Sequence, residues 1–180
     1  IRHHILSPMQ TEPPAITPSS HPYDALTPEV ILDAIEAEGF EVNGRLFALN
    51  SYENRVYQVG IEDQPPVIAK FYRPDRWPDS AILEEHEFTL SLQEAGVPVV
   101  APLVLPGGHS LGQYGDFRFA VFPQRGGQAP DTSVTDTLYR LGQWLGQIHN
   151  IGALKPFEHR PGFDLLAGLE QNNQVLVEGN

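Results

Sequence analysis

The sequence predicts an α+β fold: a five-stranded antiparallel sheet with one helix inserted after its third strand, followed by the start of a mostly helical region. Three observations carry this. Strand-like runs at roughly 40–49, 55–61 and 67–72 follow one another through short polar connections. An amphipathic stretch, "DSAILEEHEFTLSLQEAG" at 79–96, separates them from two more strand-like runs. From about residue 134 the apolar residues recur with a helical period.

The elements follow in order. "IRHHILSP" precedes Met9, the single methionine, and reads as vector remnant; residues 10–22, rich in Pro, Ser and Thr, read as a disordered tail. Ordered sequence is expected to begin at "LTPEVILDAIEAEG". Thr27 can cap this helix, Pro28 suits its first position and Gly39 stops it, while Val30, Ile31, Ala34 and Ile35 form its apolar face. The three strands then form a meander joined by "NSYEN" and by the turn signal "EDQPP". The helix over 79–96 starts at an Asp79 or Ser80 cap and ends at Gly96. Ala81, Glu85, Phe88, Leu92 and Ala95 share one face, and Glu84 and Glu87 are expected to face water.

"VPVVAPLVL" (97–105) and "DFRFAVFP" (116–123) are read as the last two strands, and "RGGQAPDTS" as a connector. A further helix spans about 134–149, with Ser133 and Asp136 as a capping box and Val134, Leu138, Leu141, Leu145 and Ile148 as its stripe. From "KPFEHRPGFDLLAGLEQNNQ" onward another helix or two should begin. The chain thus divides into 1–22, a first unit over 23–125, and a connector with an incomplete helical region over 126–180.

Composition narrows the function classes. A net charge of −12 argues against nucleic acid or an anionic membrane as main partner. No apolar run approaches the roughly 18 residues a membrane span needs. The absence of cysteine excludes disulfides and thiolate metal sites and fits a reducing cytoplasm. The histidines lack metal-binding spacing: His3 and His4 fall in the remnant, and His86, His109, His149 and His159 are scattered. His149 is expected to be a helix-end residue favoured by the helix dipole.

Chemistry concentrates around "VIAKFYRPDRW" at 67–77. Strand alternation sends Val67, Ala69 and Phe71 to one face and Ile68, Lys70 and Tyr72 to the other. An ammonium group there needs a ligand, an acid, or a route past Tyr72 to solvent. The order of elements is that of a protein-kinase-like amino-terminal lobe, in which a lysine of the third strand neutralises nucleotide phosphates and pairs with a helix glutamate. Glu85 stands on the apolar stripe of the next helix, where such a pairing would compensate both charges. "LNSYENRVYQV" occupies the place of a kinase phosphate loop without any glycine, and it is equally a polar hairpin loop. "FAVFPQRGG" at 119–127 occupies the place of a kinase hinge or is an ordinary strand end. Pro123 has no N–H, so a hinge donor must be Phe122 or Gln124.

"LNSYENRVYQV", "AKFYRPDRW", "ILEEHEF", "GVPVVAP", "FAVFPQRGG" and "HRP", in this order, resemble the bacterial stress-response kinases of the RdoA/YihE type, within the aminoglycoside-phosphotransferase and choline-kinase-like superfamily. The similarity covers roughly 23–165. It implies a cytoplasmic Ser/Thr protein kinase, using ATP and Mg²⁺ in response to envelope or oxidative stress, and a monomer acting on protein substrates. It also implies that Ser51 contacts ATP with Glu53 and Asn54 beside it, and that Lys70 holds the phosphates. Glu85 would then orient Lys70, Ile68 would cover adenine, and the backbone near Phe122 and Gln124 would meet the adenine edge.

One departure is large. The family's H-G-D-x-H-x-x-N catalytic loop and D-x-D metal motif are absent. After residue 125 the aspartates are Asp131, Asp136 and Asp164, none in such a context, and "GFDLL" is not a DFG motif. The general base and metal ligands are expected beyond Asn180. These 180 residues are accordingly expected to be the inactive amino-terminal half of a longer enzyme. Two other readings stay open: a small-molecule kinase for an aminoglycoside, choline-like or homoserine-like alcohol, and a non-catalytic nucleotide-binding module.

Overall fold

A computed structural model describes residues 21–162. Three helices and five strands follow in the order α1 (Pro28–Ala37), β1 (Val42–Leu49), β2 (Arg55–Ile61), β3 (Gln64–Phe71), α2 (Asp79–Glu94), β4 (Gly112–Tyr114), β5 (Phe117–Pro123) and α3 (Thr135–Gly152). The strands form one antiparallel sheet in the order β1-β2-β3-β5-β4, with β3 at its centre. The predicted tail over 1–20, the helices expected after residue 162 and Asp164 lie outside the described residues.

Helix α1 begins and ends as its sequence dictates. Thr27 Oγ1 accepts the Val30 amide at 3.4 Å, and Gly39 takes φ +86° just past the end, where a Cβ would be strained. Ile31, Ala34 and Ile35 are fully buried against one face of the sheet. There they join Val59, Ala69, Phe71, Phe119 and Val121 in the main core. Phe71 stacks on Phe119 at 5.3 Å and meets Phe117 edge-on.

Four local expectations are corrected. "VPVVAPLVL" is not a strand: Pro98 and Pro102 lack the N–H groups a ladder needs, and Leu103 N to Val121 O, 2.7 Å, ties the segment to β5. The fourth strand is the short β4, after the glycine-rich turn. Neither Asp79 nor Ser80 caps α2, whose N-cap is Pro78 without a side-chain bond; Asp79 pairs instead with Arg118 at 2.9 Å. The Ser133–Asp136 capping box does not form either, because Ser133 turns back to Asp131, with Oγ to Oδ1 at 2.6 Å. Finally, the prolines of "EDQPP" belong to β3 and the turn is Glu62–Asp63, with Asp63 at φ 50°. Pro65 and Pro66 are tolerated because β5 pairing starts only at Val67.

The predicted stripes are rotated or uncovered. Ala81 and Leu92 of α2 are buried, yet so are Ile82 and His86, one turn apart, while Ala95 is exposed. Ile82 packs with Tyr72 and Ala120 on the second face of the sheet. The α3 N-cap Val134 and, on the helix, Leu138 and Leu145 are exposed, and no residue of α3 is buried.

His86 is the polar centre of this second cluster. Its Nε2 lies 2.7 Å from the Tyr72 hydroxyl and its Nδ1 2.9 Å from Ser110 Oγ, so both ring nitrogens are satisfied. Burial, opposed by the Glu85 charge, pushes the imidazole down to about 4, so the ring is neutral at pH 7. A base with a lowered folded pKa confers stability that is complete above its unfolded value of 6.5 and is lost as pH falls toward 4. Urea unfolding across that window should show a loss approaching about 3 kcal/mol. A His86→Gln variant should lack that component, and equal slopes in the two proteins would refute the assignment.

Candidate functional site

The site is built on the second face of the sheet. Directly opposed residues share a face, so the pairs Val56–Lys70–Ala120 and Gln58–Ile68–Phe122 line up across β2, β3 and β5. Leu49 and Phe47 extend the two rows onto β1. Alternation along β3 follows the expected pattern: Val67, Ala69 and Phe71 are buried, while Ile68 and Lys70 are half-buried. The result is an apolar, partly open surface with one ammonium group set into it.

Lys70 Nζ lies 3.2 Å from Glu85 Oε1 and 4.6 Å from the centre of the Tyr72 ring. The inserted helix supplies the acid, and the strand supplies the cation. A third group joins them, since Arg160 Nη2 hydrogen-bonds Glu85 Oε2. Two cations around one carboxylate leave the cluster net positive, an environment suited to an anion. Burial, reinforced by the Glu85 charge, pushes the Tyr72 hydroxyl well above its ordinary value, so it stays protonated.

The turn between β1 and β2 is tethered rather than free. Glu53 Oε1 accepts the Trp77 indole N–H at 3.0 Å, and Glu53 Oε2 lies 3.4 Å from Arg76 Nε. The Glu53 carbonyl accepts the Tyr23 hydroxyl at 2.9 Å, and Asn54 Oδ1 accepts the Arg73 amide at 3.3 Å. The side chains of Glu53 and Asn54 are therefore turned to the 73–77 segment. Ser51 and Tyr52 are exposed at the tip.

At the other end of the sheet, the ladder decides which of the Phe122 and Gln124 amides is left unpaired by β3. Tyr72 N donates to Arg118 O at 2.9 Å, so hydrogen-bonded pairs recur every second residue. That parity includes Ile68 with Phe122 and directs the Phe122 N–H to the Ile68 carbonyl. Pairing with β3 ends at Pro123, so of these two amides the ladder leaves that of Gln124. The Gln124 side chain reaches Gln58 Oε1 at 3.1 Å.

Glu84, half-buried, does more than face water. Its carboxylate accepts three consecutive backbone amides, those of Glu158, His159 and Arg160, at 2.6, 3.1 and 3.0 Å. Burial works against its ionised form, but the three N–H donors outweigh it and hold the carboxyl below its usual value. Glu87 pairs with Lys155 at 2.9 Å. Adjacent glutamates on α2 thus grip one short segment. Among the described residues no three acidic or histidine side chains converge to hold a metal ion. Sequence reasoning missed Arg160, Trp77, Val56 and Leu49. Strand pairing could have suggested the last two; nothing local signals the first two.

Removing the tether should free the turn. Glu53→Ala is expected to shift one of the two tryptophan indole N–H resonances, that of Trp77, and to speed amide exchange at 51–54. Unchanged indole and amide signals would show that Glu53 does not restrain this loop.

Residues 46–178 match APH, the phosphotransferase enzyme family. Stress response kinase A of Salmonella choleraesuis is 41% identical over 156 residues, covering 87% of this chain and 47% of that protein. Stress response kinase A of Escherichia coli K12 is 41% identical over 160 residues, 89% of this chain and 46% of its own. The serine/threonine protein kinase RdoA of Salmonella typhimurium is likewise 41% identical, with 87% and 47% coverage. The chain spans about half the length of these curated relatives. Among solved structures, an amicoumacin kinase in complex with AMP-PNP, Ca²⁺ and Ami aligns with TM-score 0.60 at 20% identity, over 72% of this chain and 41% of that one. A microcompartment-associated aminopropanol kinase aligns at 0.57 and 20%, over 75% and 45%. Both likenesses concern the fold, an α+β kinase-like amino-terminal lobe. By its sequence match over 46–178, this chain belongs to the APH phosphotransferase enzyme family.

Proposed function

We propose that this chain is the ATP-binding half of a Ser/Thr protein kinase that transfers the γ-phosphate of ATP to protein hydroxyls. The observation that carries the reading is the Lys70–Glu85 pair, 3.2 Å apart on the open apolar face of the sheet. The names of the 41%-identical relatives support a stress-response kinase acting on protein serine or threonine. In this reading the protein is cytoplasmic and monomeric, and neither nucleic acid nor membrane is a partner. No helix among the described residues is long and apolar enough to cross a membrane.

The chain's residues do the following. Ile68, with Val56, Leu49 and Phe122 beside it, covers the flat purine. The Gln124 amide meets the adenine edge, and Ser51 at the tip of the tethered turn contacts the phosphates. Lys70 neutralises charge on the phosphate oxygens while Glu85 keeps its ammonium aimed at them. As the bond from γ-phosphorus to the β–γ bridging oxygen breaks, a bond to the acceptor oxygen forms, the acceptor proton departs and ADP leaves. Mg²⁺, which neutralises β- and γ-oxygens in this chemistry, would be held by residues other than those described, as would the general base.

In the whole gene product, Lys70→Ala should lower kcat by about 100-fold or more while leaving the unfolding midpoint nearly unchanged. The assay offers ATP labelled at the γ-position to a protein mixture and, separately, to aminoglycoside, choline and amino-alcohol acceptors. Label on protein serine or threonine, lost in Lys70→Ala, is the expected result. Label on small alcohols only would reassign the acceptor class, and unaltered turnover in Lys70→Ala would overturn the role of the lysine.

A further inference from the structure

We infer that Arg160 is a positioning residue for phosphoryl transfer: it holds the second oxygen of Glu85 so that the first stays on Lys70. The inference rests on the reading of Lys70 as the phosphate-binding lysine.

Arg160 lies 90 residues beyond Lys70 in sequence, outside the sheet and outside α2. Its guanidinium nevertheless engages both α2 and Trp77 of the segment between β3 and α2. Nη2 bonds Glu85 Oε2, and Nε donates to the Ala81 carbonyl one turn earlier on α2 at 3.3 Å. Its Cζ sits 4.9 Å from the centre of the Trp77 ring, whose indole N–H is held by Glu53 of the β1–β2 turn. The backbone amide of Arg160 is itself fixed by Glu84. Contacts therefore run continuously from Lys70 through Glu85, Arg160 and Trp77 to Glu53, and so join the lysine to the turn expected to cover the phosphates.

The chemistry explains why one carboxylate serves both cations. A carboxylate bound through one oxygen can rotate about its terminal torsion, which is broad and soft. A planar guanidinium on the other oxygen, itself set over an indole ring and bonded to a helix carbonyl, removes that rotation. Lys70 and Glu85 remain between a fifth and two-fifths exposed, so the pair by itself adds little to stability. Orientation, rather than strength, is what Arg160 supplies.

The test is a double-mutant cycle on kcat in the whole gene product. Arg160→Gln should lower kcat about tenfold with the acceptor KM unchanged. In a Glu85→Gln background the same substitution should change kcat less than about twofold, because the oxygen it positions has already lost its charge. Equal losses in both backgrounds, or no loss in either, would overturn the inference. Should Arg160→Gln fail to fold, Arg160→Lys enters the same cycle. It keeps the charge without the planar contacts, and its smaller loss should also vanish beside Glu85→Gln. A Lys70→Ala control separates the levels: unaltered turnover there removes the lysine reading and this inference together. Reduced turnover in Lys70→Ala with an additive Arg160 effect removes the inference alone.

Discussion

The carboxylate of Glu85 is the point at which three parts of this chain meet. The central strand brings Lys70 to one oxygen, and the segment after α3 brings Arg160 to the other. Helix α2 has no such anchor in its own capping, because no side chain bonds its first amides. Its placement depends on what its side chains grip: Ile82 and His86 toward the sheet, Glu84, Glu85 and Glu87 toward residues 155–160. Because each ion pair is partly exposed, each adds little to stability by itself. Together they define a geometry with little net stabilisation, the property a site needs if its charges are to remain available to a ligand.

The two faces of the sheet divide the labour. Packing against α1 fills one face with Phe71, Phe119, Val59 and Val121, all nearly inaccessible. That face supplies the hydrophobic stabilisation, so the other need not be fully covered. On the second face only the end near Tyr72, Ala120 and Ile82 is closed, and there a neutral imidazole with both nitrogens bonded replaces an apolar side chain. A protonated His86 would add a third cation beside Lys70 and Arg160, and burial prevents this at neutral pH. Rigid support below and an open apolar strip above follow from the same strand alternation.

Much of this was legible in the sequence where the signal is local. Thr27, Pro28 and Gly39 delimit α1 because caps and positive φ are properties of single residues. Lys70 stands out because period-two alternation puts it opposite to Phe71, and Glu85 because an acid interrupts a helical stripe. Other local signals misled. "VPVVAPLVL" has strand composition, but its prolines remove donors and β5 accepts only the Leu103 amide. Ser133 and Asp136 have the spacing of a capping box, yet Asp131 competes for Ser133 from a closer turn. Composition states what a segment can do; competing partners decide what it does.

The sequence by itself determined the order of the elements, the face on which Lys70 lies and the family to which the chain belongs, since each is encoded in periodicity or contiguous motifs. Tertiary structure alone decided which groups meet. Glu84 looks like a solvent-facing helix residue until three amides from 158–160 converge on it. Glu53 carries no local sign that Trp77 and Arg76 take its two oxygens. Arg160 carries no local mark of its place beside Glu85. The physical reason is that a charged or hydrogen-bonding group finds its partner through space, and the distance along the chain that separates the two places no constraint on that choice once the sheet and α2 have packed.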